Sequence, residues 1–336
     1  MQVTTDKLYY EVFGVGEKLH CVWDGNIPAL NLKFLNGVDH EYFKYLADIH
    51  SNSLTGPHKL RAAIALHTAY FHGLETLFSL IFAALHAPSV IPAWILKCRT
   101  EELRNLVAAV DSKQQATNVR FKFEEYSWKS ISALFNVLAL VGNVELDKIA
   151  DDFGKLWQMF AKDYADSFTV DAYNSFKHGF RVRLGGMKIS FKPALNSEDP
   201  TSPEGYQELA NSEFGASFSI ADKIKGAPDQ KPDQHFRIKD CHVNCYPEYT
   251  TESLHLISVS IRNVVSFLKK SNGGEGIPGP IPVSGDWFNE LCQKRTGLNN
   301  SITDMQIREK DITRFNKEEL QKLLDSSKKF EIRITY

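Results

Sequence analysis

Asp171, Asn174, Lys177 and His178 lie close together in the stretch FTVDAYNSFKHGFRV, residues 168–182. At helical spacing Asp171, Asn174 and His178 share one polar face, while Tyr173 and Phe176 turn toward a core. A histidine changes charge near neutral pH and can move protons, and an Asn or Asp beside it can orient its ring. Lys177, with Arg181 and Arg183 just downstream, supplies cations for a phosphate. Such a set suits metal-free RNA cleavage, in which the 2′-hydroxyl attacks the adjacent phosphorus. The same residues also have a purely structural use. Lys177 and His178 precede Gly179, where cations complement a helix C-terminus and glycine suits the left-handed cap. Lys177 can equally be there to pair with Glu75.

Other chemistry-bearing groups are sparse. His72 and Glu75, three apart, are neighbours on a helix surface. They reverse the Glu-x-x-His order of di-iron bundles and have no second copy, which favours a hydrogen-bonded buried pair in a supporting role. Cys241, His242 and Cys245 form CHVNC. Structural zinc needs four ligands and no second pair follows, so a buried thiol pair on a strand is expected. There is no phosphate loop with its lysine, no GxGxxG, no GxSxG, no HExxH and no paired CxxC. The expectation is therefore no metal and no cofactor.

The elements that must hold these residues begin with KLRAAIALHTAYFHGLETLFSLIFAALHA, Lys59 to Ala87. Leu60, Ile64, Phe71, Leu74, Phe78, Ile81 and Leu85 recur every three or four residues, and His67 falls on the same stripe. Arg61, Thr68, His72, Glu75 and Ser79 form a polar line. Pro57 and Pro88 bound the helix. It is long enough to span a bilayer, but Glu75 near its middle would cost on the order of 3 kcal/mol there, so a buried helix and no membrane partner are expected.

Residues 8–13 and 19–23 suggest a hairpin around Gly14 to Gly16, with Leu30 to Phe34 as a third strand and His40 to Ile49 as a short helix. Two short helices between Val90 and Val110, one from Tyr126 to Val141, and one from Leu146 to Tyr164 follow, with Asn143 and Thr169 as candidate caps. Val182 to Leu184 and Met187 to Phe191 alternate across Gly185-Gly186. They read as a β-hairpin whose basic face holds Arg181, Arg183, Lys188 and Lys192; with no interleaved aromatics, that face suits solvent better than a nucleic-acid groove. Strands are expected at Ala216 to Ile220 and His235 to Tyr246, and a helix from Thr251 to Lys270. After a linker with five Gly and three Pro come a helix at Trp287, a strand near Met305 to Arg308, a helix capped by Asn316 with Glu319 three residues on, and a final strand, Phe330 to Tyr336.

The expected architecture is mainly α: a helical bundle with a small antiparallel β decoration and a short α/β C-terminal tail. Its parts are an N-terminal β-rich segment and short helix (1–50), the bundle with its β-hairpin insertion (51–271), a Gly/Pro linker (272–285) and a small α/β module (286–336) that should dock on the bundle or on a partner. With 336 residues, 43% of them hydrophobic, the chain can fill a sizeable core. A net charge of -2 excludes a surface that is basic throughout. Five scattered cysteines and a start without a secretion signal point to the cytoplasm.

An apolar helix with an internal Glu, several amphipathic helices, and then Tyr173-Asn174-x-x-Lys177-His178-Gly179 resemble prokaryotic helical proteins of the broad HEPN-like superfamily, over about residues 55–270. The resemblance implies a small helical bundle, in many members a homodimer. Active members are metal-independent ribonucleases of toxin and phage-defence systems, and others are inactive binding modules. The family's catalytic signature is Arg, four to six residues, then His, with a polar residue after the Arg. Arg61 with His67 and Arg237 with His242 have that spacing without the polar neighbour, and Arg262-Asn263 has the neighbour without the His. Two readings follow. In one the protein acts on or senses RNA, in stress or phage defence, with His178 moving protons, Asn174 and Asp171 orienting it, Lys177, Arg181 and Arg183 on phosphate, and Glu75 and His72 in support. In the other it is a non-catalytic interaction or scaffold protein, and the same residues form a structural network.

Overall fold

The structure, a computed structural model, describes residues 8–139, 146–177, 181–191, 207–224, 235–279, 286–295, 300–303 and 313–326. The chain opens with an antiparallel hairpin, β1 (Tyr9–Val15) and β2 (Lys18–Asp24), in which Tyr9 pairs with Asp24 and Val15 with Lys18. Gly16 takes φ +57° at the turn, a conformation that suits glycine. Next are α1 (Ile27–Gly37), α2 (Tyr42–Ser51), α3 (Lys59–His86), α4 (Ile91–Lys97), α5 (Thr100–Asp111), α6 (Trp128–Asn136), α7 (Leu146–Ala165) and α8 (Ser167–Lys177). Four strands, β3 (Val182–Leu184), β4 (Lys188–Phe191), β5 (Gln207–Asn211) and β6 (Gly215–Lys223), lead to β7 (Phe236–Asn244). Helix α9 (Pro247–Ser271), α10 (Trp287–Gln293), β8 (Asn300–Thr303) and α11 (Lys317–Ser326) complete the described chain. The protein is mainly α with small antiparallel sheets.

Helix α3 is the hub, and α2, α4, α5, α7, α8 and α9 all pack on it. In its first half the buried stripe runs through Ala62, Ala63, Leu66, Ala69 and Tyr70, offset from the expected one, whose Leu60, Ile64 and His67 are half-buried, whereas every residue from Leu80 to His86 is buried. A helix apolar on all sides belongs at the centre of a core. Among the described residues it is the one helix long and apolar enough to cross a membrane, and 72% of that apolar window is buried inside the protein. Trp157 donates to Ser260 Oγ at 3.0 Å and Asn263 to Asn136 Oδ1 at 2.8 Å, bonds that tie α7 and α6 to α9.

The third strand expected at Leu30 to Phe34 is a helix instead. Asn26 accepts from Ala29 N at 3.1 Å, Pro28 sits in the first turn, and Ile27, Asn31 and Leu35 bury one face at four-residue spacing. Those start signals outweigh a short apolar run. Asn31 then bridges the Pro88 carbonyl and Ile91 N, fixing the turn between α3 and α4.

The expected hairpin across Gly185-Gly186 does not form. Strand β3 pairs with β6 (Val182 opposite Phe218) and β4 with β5. The physical reason lies in the two glycines: Gly185 N bonds to the Gly215 carbonyl at 2.9 Å and Gly186 N to the Glu213 carbonyl at 3.0 Å, drawing the connection onto the 212–215 segment. A Cβ at Gly186 would collide with the Ser212 carbonyl, so this approach depends on glycine. The larger sheet runs β3-β6-β7-β8, all antiparallel, and packs Ala216, Phe218, Cys241 and Val243 against Ala172 and Phe176 of α8.

The segment after the linker docks on the helices. Leu291 is buried in the main core, Trp287 stands 5.7 Å from Phe153, and β8 extends the sheet beside β7. The Asn316 and Glu319 cap forms in both directions, at 3.0 and 2.8 Å. Asn143, the strand near Met305 to Arg308 and the strand from Phe330 to Tyr336 lie outside the described residues, as do His178 and Lys192.

Candidate functional site

Helix α8 is held from two sides. Its apolar residues sit on the sheet, and Tyr173 lies 5.6 Å from Phe71 of α3. Its N-terminus is capped by Asp166, whose Oδ2 accepts from Thr169 N at 2.9 Å and from Thr169 Oγ1 at 2.5 Å. Thr169, expected to cap the helix, is thus inside it and serves as the donor. Carboxylate caps outrank threonine because they also complement the helix dipole.

So placed, Asn174 and Lys177 line a cavity of about 120 Å³ with Glu75 of α3, Thr100 and Arg104 of α5, and Tyr164 of α7. Two polar atoms of this lining, Arg104 Nε and the Tyr164 hydroxyl, are buried without a hydrogen-bond partner. Orphaned donors cost a fold about 1–3 kcal/mol each; with the Arg104 side chain acting on the Tyr164 hydroxyl from beside it, the two can donate together to a polar group in the cavity. Burial, followed by the Glu75 charge, pushes the Tyr164 hydroxyl well above its ordinary range, so it remains a protonated donor at neutral pH. The Tyr173 hydroxyl is raised for the same two reasons in the same order.

Glu75 is the wall between this cavity and a wider cleft of about 360 Å³ that also touches His72, Thr100 and Cys98. Thr100 Oγ1 donates to Glu75 Oε1 at 3.1 Å. The expected bond between His72 and Glu75 is absent among the described residues. His72 is exposed and meets Phe43 edge-on at 5.4 Å, because α2 covers that side of α3. Cys98 is no nucleophile: burial, then Glu102, pushes its thiol up to about 12.

The other residues singled out by type scatter. Asp171 is on the exposed side of α8 and does not line the cavity; burial raises its carboxyl, against which Arg104 acts, while Asp166 raises it further. Arg181 and Arg183 are exposed, and Arg183 Nη2 lies 3.5 Å from Asp240. With β3 and β4 apart, the basic face expected of one hairpin is divided between two sheets. His178 lies outside the described residues, so the proton-transfer assignment rests on its sequence position. Arg61 Nη1 is 3.1 Å from His58, Arg237 Nε donates to Asp222 at 2.7 Å, and His242 Nδ1 is 2.7 Å from Ser217 Oγ. Cys241 and Cys245 are buried.

Arg104 and Tyr164 escape a reading of the sequence. Tyr164 belongs to the apolar stripe of α7, and no local spacing connects Arg104 with α8. Among the described residues no group of three or more His, Cys, Asp or Glu side chains gathers as a metal site. No family model, curated protein or solved structure matches this chain.

Proposed function

We propose that the protein is a cytoplasmic, HEPN-like helical bundle that acts on or senses RNA, with the α3, α5, α7 and α8 cavity handling a backbone phosphate. One observation carries this reading: Arg104 Nε and the Tyr164 hydroxyl, both buried and unsatisfied, line the same cavity as Lys177 and Asn174. Phosphate oxygens accept from all four groups, and guanidinium and ammonium donors bind them most strongly. In the cleaving version the 2′-oxygen bonds to phosphorus as the bond to the 5′-oxygen breaks. His178 takes the 2′-hydroxyl proton or returns one to the leaving oxygen, with Asn174 orienting it. Asp171 acts from outside the cavity, on the exposed face of α8. Arg181 and Arg183 extend the cationic surface downstream.

The test is incubation of the purified chain with end-labelled single-stranded and structured RNAs in EDTA, beside His178→Ala and Lys177→Ala. Cleavage leaving 2′,3′-cyclic phosphate ends and lost in His178→Ala supports the ribonuclease version. Binding without cleavage, weakened several-fold by Lys177→Ala with a shallower salt dependence, supports RNA sensing. Well-folded protein that does neither refutes the reading.

A different observation favours the second reading, an interaction protein that forms a homodimer. One face of the β1/β2 hairpin presents Tyr10, Val12, Leu19 and Trp23, between 43% and 71% exposed. With Leu8 and Cys21 this face is uncharged throughout, the kind of patch that a second copy of the chain can cover. Sedimentation of wild type against Trp23→Lys decides it: a dimer lost in the variant supports self-association, and a wild-type monomer at all concentrations refutes it.

A further inference from the structure

A second cavity, of about 160 Å³, shares Phe71 with the phosphate cavity. Its floor is a closed polar group: Arg295 Nη1 donates to Asp163 at 2.6 and 2.7 Å, and the Tyr70 hydroxyl donates to the same carboxylate at 2.7 Å. The guanidinium lies over the Tyr249 ring, 5.3 Å from its centre, which leaves these groups committed to one another. The walls include the aromatic rings of Phe71, Phe168 and Tyr246, with Asp166, His67 and Asn300 as polar members.

His67 is the group that the fold leaves unanswered. Its Nε2 is buried with no hydrogen-bond partner, although the ring packs 5.2 Å from Phe71 and 5.3 Å from Phe176. Burial, helped by the Arg295 charge, lowers its pKa to about 4, so at neutral pH it is an uncharged imidazole. An uncharged ring can read either a donor or an acceptor, depending on its tautomer.

Size limits what fits. A closed cavity of about 150 Å³ is known to accept one benzene ring, so about 160 Å³ suits a single six-membered ring. A purely apolar ring would leave His67 Nε2 unmet, whereas a heterocycle with donors and acceptors on one edge meets it. Aromatic walls with a few polar groups are how single-stranded RNA bases are held.

We propose that this cavity takes a pyrimidine base of RNA, with His67 and Asn300 reading its polar edge while a phosphate of the same strand occupies the adjoining cavity. This selectivity rests on the RNA reading above. It makes the protein a pyrimidine-preferring binder whose base contacts and phosphate contacts lie on opposite sides of Phe71.

Fluorescence anisotropy with labelled U8, C8 and A8, measured in EDTA on the full chain carrying His178→Ala to suppress cleavage, tests it. The expected result is U8 or C8 bound about tenfold more tightly than A8, the worth of roughly one net hydrogen bond. His67→Ala should cut that preference below about twofold, since one lost hydrogen bond accounts for it. Asn300→Trp, on an edge strand that tolerates bulk, should plug the cavity with the same outcome and carries the test alone if His67→Ala misfolds. Both U8 and C8 bound within about twofold of A8 would overturn the base pocket and leave the RNA reading standing. Neither oligomer bound would overturn both.

Discussion

Replacing Arg295 by alanine strips the counter-charge from Asp163, whose side chain is only 12% exposed in the floor of the second cavity. Removing one partner of a buried ion pair costs about 3–5 kcal/mol because the remaining charge stays desolvated. Two features reduce the loss here. Arg295 keeps 29% side-chain exposure, so water already screens part of the attraction, and the Tyr70 and Tyr249 hydroxyls still donate to Asp163 at 2.7 and 3.4 Å. The expected destabilisation is therefore about 3 kcal/mol, the lower end of that range. Burial by itself would lower the Arg295 pKa, but Asp163 overrides it and holds the guanidinium charged, so the effect persists across neutral pH. Urea unfolding of Arg295→Ala, Asp163→Asn and the pair Asp163→Asn/Arg295→Ala gives the coupling directly. The double variant removes both charges and should recover at least half of the single-variant loss. A loss below about 1 kcal/mol for Arg295→Ala, with no coupling in the cycle, would show that the segment after the linker does not close on α7 through this pair.

Phe78 is fully buried and lies 5.4 Å from both Trp128 and Tyr164, so Phe78→Ala should cost about 3–5 kcal/mol by denaturant unfolding; a cost below about 1 kcal/mol would mean that α3 does not bury this face. Burial, helped by Arg295 for His67 and by Arg120 for His86, lowers both pKa values to about 4 from the ordinary 6.5. The unfolded chain then binds more protons between pH 6.5 and 4, so stability is full above pH 6.5 and falls by about 3 kcal/mol per histidine as pH drops to 4. Unfolding free energies at pH 7, 5.5 and 4.5 should show this decline, with His67→Gln reducing the slope by about 1 kcal/mol per pH unit; a slope unchanged in that variant would remove His67 from the buried set.

What could be read locally was read well. The period of α3, α7 and α9 is carried by side chains three and four apart, which touch within one helix whatever else the chain does. The β1/β2 hairpin and the cap at Asn316 are equally local. The candidate site was half legible: Asn174, Lys177 and Glu75 line one cavity, because α8 and α3 both display an apolar face and pack with their polar lines toward it. Asp171 turns away, and His72 goes to an aromatic contact with α2, since helical spacing says which residues share a face but not what opposes it.

The amino-acid order by itself determined the mainly α character, the central helix and the polar line of α8, since each follows from the pitch of a helix and from which side chains water rejects. The tertiary structure decided that β3 joins β6 across more than thirty intervening residues, that Arg104 and Tyr164 complete the cavity beside α8, and that Arg295 returns from beyond the linker to Asp163. Such pairings depend on the arrangement of whole elements around α3. Their energy appears only when distant segments are desolvated together, and no short stretch of residues carries that information.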